Sequence, residues 1–570
     1  MKKTTYILLI LSVFYLSGCN LDRIPETTLT NENFWKTEND LKGACTRFYN
    51  LLEGFGTVYN SSTSNSTNPH DTRADDIIGT TSDQTSAGSR SIPNTSLEWT
   101  YPYARIFTAN NIIEKGPTVA ISVAKQNRWI AEAYFFRAYY HFILVTKYGD
   151  VPLITRTIKG LNDSLLYSAR VSREIVIQQC YKDLDFAAQW LPTRATAALA
   201  ANAADWGRVT RSSALALKER IGLYEGTYSK YHNLGSDYKA HLKVAIDAAV
   251  LVMKEGHALY PDFQKLFLFE GEGSANLENI FVKVYGPNGA GTVVHGNARQ
   301  LENGVSLTRN MLDNFLCSDG LPWNKSPLRP AVETSYNTAL TNRDPRVGMT
   351  FFKVGDLGYK SATFIPFTNQ GGNGYSIKKG YLDSEWNTNS KETIDKMLIR
   401  YAEVLISYAE ALYEYNGTIT DAQLDATVNA LRARVGFNVK LTNAFVTANG
   451  LNMLDEIRRE RAIEFVDEGL RYNDIIRWKI AESVLPVNML GTKFIQSETT
   501  KLRTDLKARL TDATGKLNGL AVYNQIDMYV IELAGNRKFD PTKDYLYPVP
   551  LNEMSLSGGT VVQNPNWSAQ

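Results

Sequence analysis

Apolar residues recur at three-to-four-residue steps in several long stretches of this chain, the spacing of helices that turn one face to a core. From Leu451 to Lys479, Leu454, Ile457, Arg461, Phe465 and, past Gly469, Tyr472 form such a stripe with one arginine embedded in it. Thr37 and Asp40 make a capping-box-like start for a helix running to Gly54, with Leu41, Cys45, Phe48 and Leu52 as its stripe. Asn110 to Tyr148 reads as helix, and Trp129, Ala133, Phe136, Tyr140 and Leu144 make it so apolar that it must lie well inside. Gly149 and Pro152 stop it. Ser172–Leu191, with Ile177, Cys180 and Leu184, predicts another long helix, closed by Pro192. Arg211–Tyr231 and Tyr238–Glu255 form a pair across a short polar turn, and Ile394–Tyr415 and Asp421–Val435 add two more. Repeated antiparallel pairs of this size suggest a helical-repeat framework, although the sequence shows no clean repeat period.

Elsewhere the period fails. Residues 55 to 105 are rich in Ser, Thr, Asn, Gly and Asp with almost no helical spacing, and loops of that length are usually functional or disordered. Asn279 to Tyr285 alternates like a short strand. From there to Lys391 the chain is a patchwork of Gly, Asn, Pro and aromatics, with Trp323, Tyr336, Tyr375, Tyr381 and Trp386 scattered through it. This reads as loops and small sheet laid over the helices, and the last forty or so residues are again irregular and proline-rich.

The polar face of the 451–479 stretch carries acid-before-base pairs, Asp455 with Arg459 and Asp467 with Arg471. Glu460 and Glu464 raise the question of a glycosidase, because i,i+4 neighbours lie about 5–6 Å apart at Cβ and retaining carboxylates about 5–5.5 Å apart. Two carboxylates leaving one helix in the same direction cannot flank a sugar ring, and Arg458, Arg459 and Arg461 are at hand to hold them ionised. A structural ion-pair network is the expectation, and no catalytic set is found.

At 570 residues the chain is long enough for two domains or one elaborated one. Lys2 and Lys3 precede an apolar run from Tyr6 to Leu16, too short to span a bilayer but the length of a signal-peptide core. It ends in Leu16-Ser17-Gly18-Cys19, which looks like a bacterial lipobox, so Cys19 is the expected lipidation site, followed by a polar tether to about Trp35. No later segment reaches membrane-spanning length. Without Lys2 and Lys3 the 61 basic residues become 59, equal to the 59 acidic ones, so no electrostatic footprint for nucleic acid remains. Of the other cysteines, Cys45 and Cys180 fall in helical stripes as inert core thiols, and with Cys317 they make neither a disulfide framework nor a zinc site.

The six histidines, His70, His141, His232, His241, His257 and His295, show no ligand spacing. Neither GPNGAG at 286 to 291 nor GGNG at 371 to 374 is a phosphate loop. No cofactor is expected; the one ion the sequence could hold is calcium, on Asp383, Glu385, Asn387 and Asn389, though an EF-hand's glycine and terminal glutamate are missing. What remains is a binding constellation between His70 and Tyr103: Asp71, Arg73, Asp75, Asp76, Trp99, Tyr101 and Tyr103. It joins charged hydrogen-bonders to flat aromatic faces, the two things a sugar needs. In an extended backbone Trp99 and Tyr101 point the same way and would meet successive sugars. The competing reading makes Trp99 and Trp323 core anchors.

The segment IRRERAIEFVDEGLRYNDIIRWK strongly resembles the signature of the SusD/RagB family of nutrient-binding surface lipoproteins. AEAYFFRAYYHFILVTKYGDVPL at 131 to 153, RYAEVLISYAEAL at 400 to 412, NALRARVG at 429 to 436, YLYPVPLNEM and QNPNW resemble the same family in the same order. The resemblance implies a mainly α fold with tetratricopeptide-like helix pairs, residues 37–260 and 261–570 packing as one globular unit. It implies a shallow glycan arc to which Tyr285, Trp323 and Tyr336 are the nearest C-terminal candidates. It also implies a lipid anchor in the outer membrane facing the cell exterior, Asp22 as a thin export signal, and delivery of an oligosaccharide or polysaccharide to a SusC-like TonB-dependent transporter. A peptide or other nutrient remains open as the ligand, and a glycoside hydrolase is the remaining rival.

Overall fold

The first described helix is set by its cap. Thr37 Oγ1 accepts from the Asp40 amide at 3.3 Å and Asp40 Oδ2 accepts from the Thr37 amide at 2.7 Å, opening α1 (Glu38–Asn50). The computed structural model describes residues 34–55, 72–79, 83–286, 294–358, 361–364, 375–388, 391–493, 522–523 and 526–567. The expected signal sequence, Cys19, Asp22, His70, Asp71, Asn389 and the 371–374 glycines lie outside them.

A second helix, α2 (Leu97–Lys115), starts where a loop was expected. Ser96 Oγ caps it by accepting from the Glu98 amide at 3.2 Å, and Pro102 sits inside it. The helix expected from Asn110 to Tyr148 is therefore two: α2 ends in the turn Gly116–Thr118, where Pro117 has no amide hydrogen, and α3 (Val123–Tyr148) follows. At Gly116 a side chain is excluded, since a Cβ would lie 2.5 Å from Ile130. α3 stops at Gly149, whose φ of 72° lies in the left-handed region, as the sequence predicts.

Then come α4 (Arg173–Trp190), α5 (Arg211–His232) and α6 (Tyr238–Met253). α5 and α6 pack closely because Gly222 and Gly226 face the partner: a Cβ on Gly222 would lie 2.8 Å from Ala245 N and His241 O. β1 (Asn279–Lys283) pairs antiparallel with β2 (Lys396–Arg400), and β2 runs directly into α7 (Tyr401–Asn416), so the expected helix from Ile394 begins as a strand. The helix expected over Asp421–Val435 breaks at Thr427. The 451–479 stretch is likewise two helices, α8 (Met453–Glu464) and α9 (Arg471–Arg477), separated by a turn with Asp467 at φ 64° and Gly469 at φ 78°.

The main apolar core joins residues on both sides of position 260: Phe135 and Phe136 of α3 meet Phe281 of β1, and Ile457 and Tyr472 share the same cluster. A second cluster, with Phe315, Phe351 and Tyr375, takes Ile463 and Val466 from the end of α8 and the turn beyond. α8 thus joins both cores. Cys45, Cys180 and Cys317 are buried free thiols, pushed above the usual range by burial. The result is a mainly α, tetratricopeptide-like helical framework overlaid by loops and two- and three-stranded sheets.

Candidate ligand-binding cleft

A lattice of buried charges fixes the walls of the candidate site. Glu464 accepts from Arg400 at 2.7 Å, from Arg346 at 3.1 Å and from Arg434. Glu460 pairs with Arg346 at 2.6 Å and Arg432 at 2.9 Å. Burial pushes the Glu464 carboxyl up, but the charges of Arg434, Arg400 and Arg346 outweigh it and hold it far below the usual carboxylate range. The expected network is present, with different partners. Arg458, Arg459 and Arg461 turn instead to Glu414, Glu456 and Asp474. Arg471 bonds Asp75 at 2.7 and 2.9 Å rather than pairing with Asp467. Both glutamates are fully buried, so neither can reach a glycosidic bond.

The structure moves most of the expected binding residues into the interior. Trp99 is 3% exposed and stacks edge-on to Tyr148 at 4.8 Å; on α2, residues two apart point to different faces, so Trp99 and Tyr101 make no shared platform. Tyr101 is half-buried under the Arg105 guanidinium at 4.4 Å. The buried Tyr285 hydroxyl accepts from the Phe55 amide at 2.6 Å and reaches Phe55 O at 3.2 Å, clamping the end of the α1 segment. Trp323 is buried against the Arg343 guanidinium at 3.5 Å, and buried Tyr336 donates to Phe352 O at 3.2 Å. Asp76 is buried, its carbonyl accepting from Thr308 at 3.0 Å. Of these candidates, Arg73 lines an open cleft.

That cleft, about 170 Å³, lies where several segments meet. Tyr139, Phe142 and Ile143 of α3 form one wall, and Lys396, Met397 and Leu398 of β2 another. Glu468 to Asn473, from the turn into the start of α9, and the pair Glu53 and Gly54 close it together with Arg73. Arg73 stacks on Tyr472 at 4.5 Å and donates to the Tyr547 hydroxyl at 3.0 Å. Its segment is tied down by the Asp75–Arg471 pair; burial raises the Asp75 carboxyl, and the Arg471 charge more than reverses this. Arg220 donates to Leu398 O at 2.7 Å and to Glu403 at 2.6 and 2.7 Å. Glu468 is held by Arg400 at 2.8 Å and Lys379 at 2.6 Å. The walls are therefore preorganised, and they offer aromatic faces beside charges of both signs.

The sequence missed Glu53, Tyr139, Lys396 and Asn473 as a set because they are far apart in the chain and each sits in an element explained by packing. For the proposed calcium ligands, the helical turn Asp383–Trp386 replaces the expected alternation: Asp383 accepts from Ser361 Oγ at 2.6 Å, while Glu385 accepts from the Thr393 amide.

The model of the SusD family matches residues 283–567, half of the chain, and a second, described as "Starch-binding associating with outer membrane", matches residues 21–223. The chain belongs to the SusD family. SusD-like protein P2 of Formosa agariphila is 27% identical over 522 residues, covering 86% of this chain and 92% of that protein. A SusD-like protein of Bacteroides ovatus is 24% identical over 440 residues, 75% of this chain and 72% of its own length. Among solved structures, a SusD-like carbohydrate binding protein of Bacteroides fragilis superposes with a TM-score of 0.74 at 24% identity, covering 92% of this chain and 99% of that one. A laminarin binding SusD-like protein superposes with a TM-score of 0.62 at 18% identity, covering 93% and 100%. These likenesses establish the shared SusD-like fold. No helix among the described residues is long and apolar enough to cross a membrane.

Proposed function

We propose that this SusD-family protein binds an oligosaccharide or polysaccharide in the cleft between α3, β2 and the 468–473 segment. It then delivers that glycan to a SusC-like TonB-dependent transporter from a lipid anchor on Cys19 at the outer face of the outer membrane. The observation that carries the reading is the cleft itself, where Tyr139 supplies a ring face and Arg73, Glu53 and Asn473 supply hydrogen-bonding groups. Sugar C–H faces stack on aromatic rings while hydroxyls take bonds from charged and amide groups. The family's outer-membrane association and the carbohydrate binding of the fold relatives point the same way. Binding rather than hydrolysis is favoured because Glu460 and Glu464, the carboxylates spaced for a glycosidase, are locked to arginines in the interior.

A glycan array on the purified protein, followed by calorimetry on the hits, tests the reading. Glycan binding that weakens in Arg73→Ala supports it. Binding of peptides alone, or release of reducing sugar from a bound glycan, would refute it. The anchor is tested by Cys19→Ala, which should release a folded protein from membranes of cells lacking the transporter.

A further inference from the structure

An isolated β-bridge sets a histidine and a glutamate side by side. His295 N–H donates to Glu392 O at 3.0 Å and Glu392 N–H to His295 O at 3.2 Å. Residues that exchange both bonds in an antiparallel pair carry their side chains on the same face. The turn Asp383–Trp386 adds Glu385, whose carboxylate is pinned by the Thr393 amide. All three side chains are buried, and one donor atom from each lies within 4.8 Å of the others.

The details around these atoms favour a cation. His295 Nε2 lies 3.0 Å from Ile394 O, so it carries the proton and donates there. Nδ1 then holds a lone pair, which accepts from the Asn297 amide at 3.1 Å and also faces Glu392 Oε2 at 3.4 Å. A lone pair and a carboxylate oxygen at that separation repel unless positive charge lies between them. Glu392, 1% exposed, has a second oxygen, Oε1, with no hydrogen-bond partner among the described residues. Burying such an oxygen unpaired is costly.

We propose that His295 Nδ1, Glu385 and Glu392 bind a first-row divalent transition ion, Zn²⁺ or Mn²⁺. One imidazole nitrogen with two carboxylates suits those ions, whereas Ca²⁺ takes six to eight oxygens. The Nε2–H bond to a backbone carbonyl is the outer contact that fixes the tautomer of a ligating imidazole. Binding exchanges the weak Asn297 hydrogen bond for a metal bond. The ion would staple the 295 segment to the 383–394 segment, in a region with little regular structure. Glu392 lies just before β2, so the staple would also steady Lys396 in the cleft wall. The proposal stands independently of what the cleft binds.

The test uses the full-length protein, stripped with a chelator and titrated with ZnCl₂, MnCl₂ or CaCl₂. Calorimetry should show one Zn²⁺ or Mn²⁺ per chain with a rise in melting temperature. Affinity should fall more than tenfold in Glu392→Gln and in Glu385→Gln, each checked for native circular dichroism. Wild-type protein that takes up neither Zn²⁺ nor Mn²⁺ overturns the proposal without recourse to the variants. Uptake of Ca²⁺ alone overturns it, as does Zn²⁺ binding unchanged in both variants. A doubly protonated His295 seen by NMR in metal-loaded protein would show an imidazolium bridging the carboxylates and also overturn it.

Discussion

Where α6 lies on α5, the contact is made by Gly222, Gly226, Ala245 and Leu242, groups that need only closeness. Where α8 meets the rest of the molecule, Glu460 and Glu464 grip Arg346, Arg400, Arg432 and Arg434, side chains of three other segments. Apolar contact is non-directional and serves regular helices, whose ridges and grooves already fix their orientation. The segments reaching α8 are strand ends, short helices and turns, and only directional bonds hold such pieces in one arrangement. Glu278 shows the same logic, tying Arg400 at the end of β2 to Arg434 at 2.8 and 3.2 Å. The cleft lies at the seam, with one wall from α3 and the others from segments that the lattice holds.

Breaking the lattice should have the largest effect. Glu464→Gln leaves three buried guanidinium groups short of a partner, and loss of one member of a buried pair costs about 3–5 kcal/mol. Denaturant unfolding should show that loss; a change below about 1 kcal/mol would make the lattice ornamental. Trp99→Ala probes the apolar side of the comparison at a similar scale, about 3–5 kcal/mol for a truncated core tryptophan. Glycan affinity of the folded fraction should hold, and lost affinity with an unchanged melting temperature would return Trp99 to the binding surface.

Gly222→Ala should cost about 1–3 kcal/mol, because the new methyl meets α6 backbone atoms that cannot rotate away. A neutral result would mean that α5 and α6 can separate freely. The smallest effect concerns pH. Burial raises the Glu272 carboxyl from 4.5 to about 7 and Asp395 from 3.8 to about 6. The folded state therefore holds these protons more tightly than the unfolded chain, so their contribution to stability is complete below about pH 4 and fades as pH rises through 6 and 7. Glu272→Gln should flatten the fall in melting temperature between pH 5 and 8; an equally steep fall in the variant would place the titrating group elsewhere.

Much of the helical framework was legible in the sequence, because its helices bury one face and end on readable signals, Thr37 with Asp40 at one start and Gly149 at one stop. The boundaries that failed did so for local reasons. Pro102 hides α2 from a reader who expects proline to break helices, although the Ser96 cap announces it. Ile394–Tyr415 reads as one apolar run, yet its first residues pair with β1, a partner more than a hundred positions away. The site was less legible. Aromatic residues in irregular segments look exposed, but Trp323, Tyr336 and Tyr285 are anchors that hold loops by stacking and hydroxyl bonds. Arg73 lines the cleft because its segment is fixed by Arg471, within the signature stretch itself.

The most direct test of the cleft is the affinity of a glycan selected from the array for the wild type and for Tyr139→Leu, with melting temperatures measured on the same samples. Leucine keeps the contact with Phe281 while removing the ring face and the hydroxyl. Stacking on an aromatic ring is worth about 1–3 kcal/mol on the scale known for bases, so affinity should fall roughly ten- to a hundredfold with little change in melting temperature. Unchanged affinity in a folded Tyr139→Leu protein would place the glycan outside this cleft.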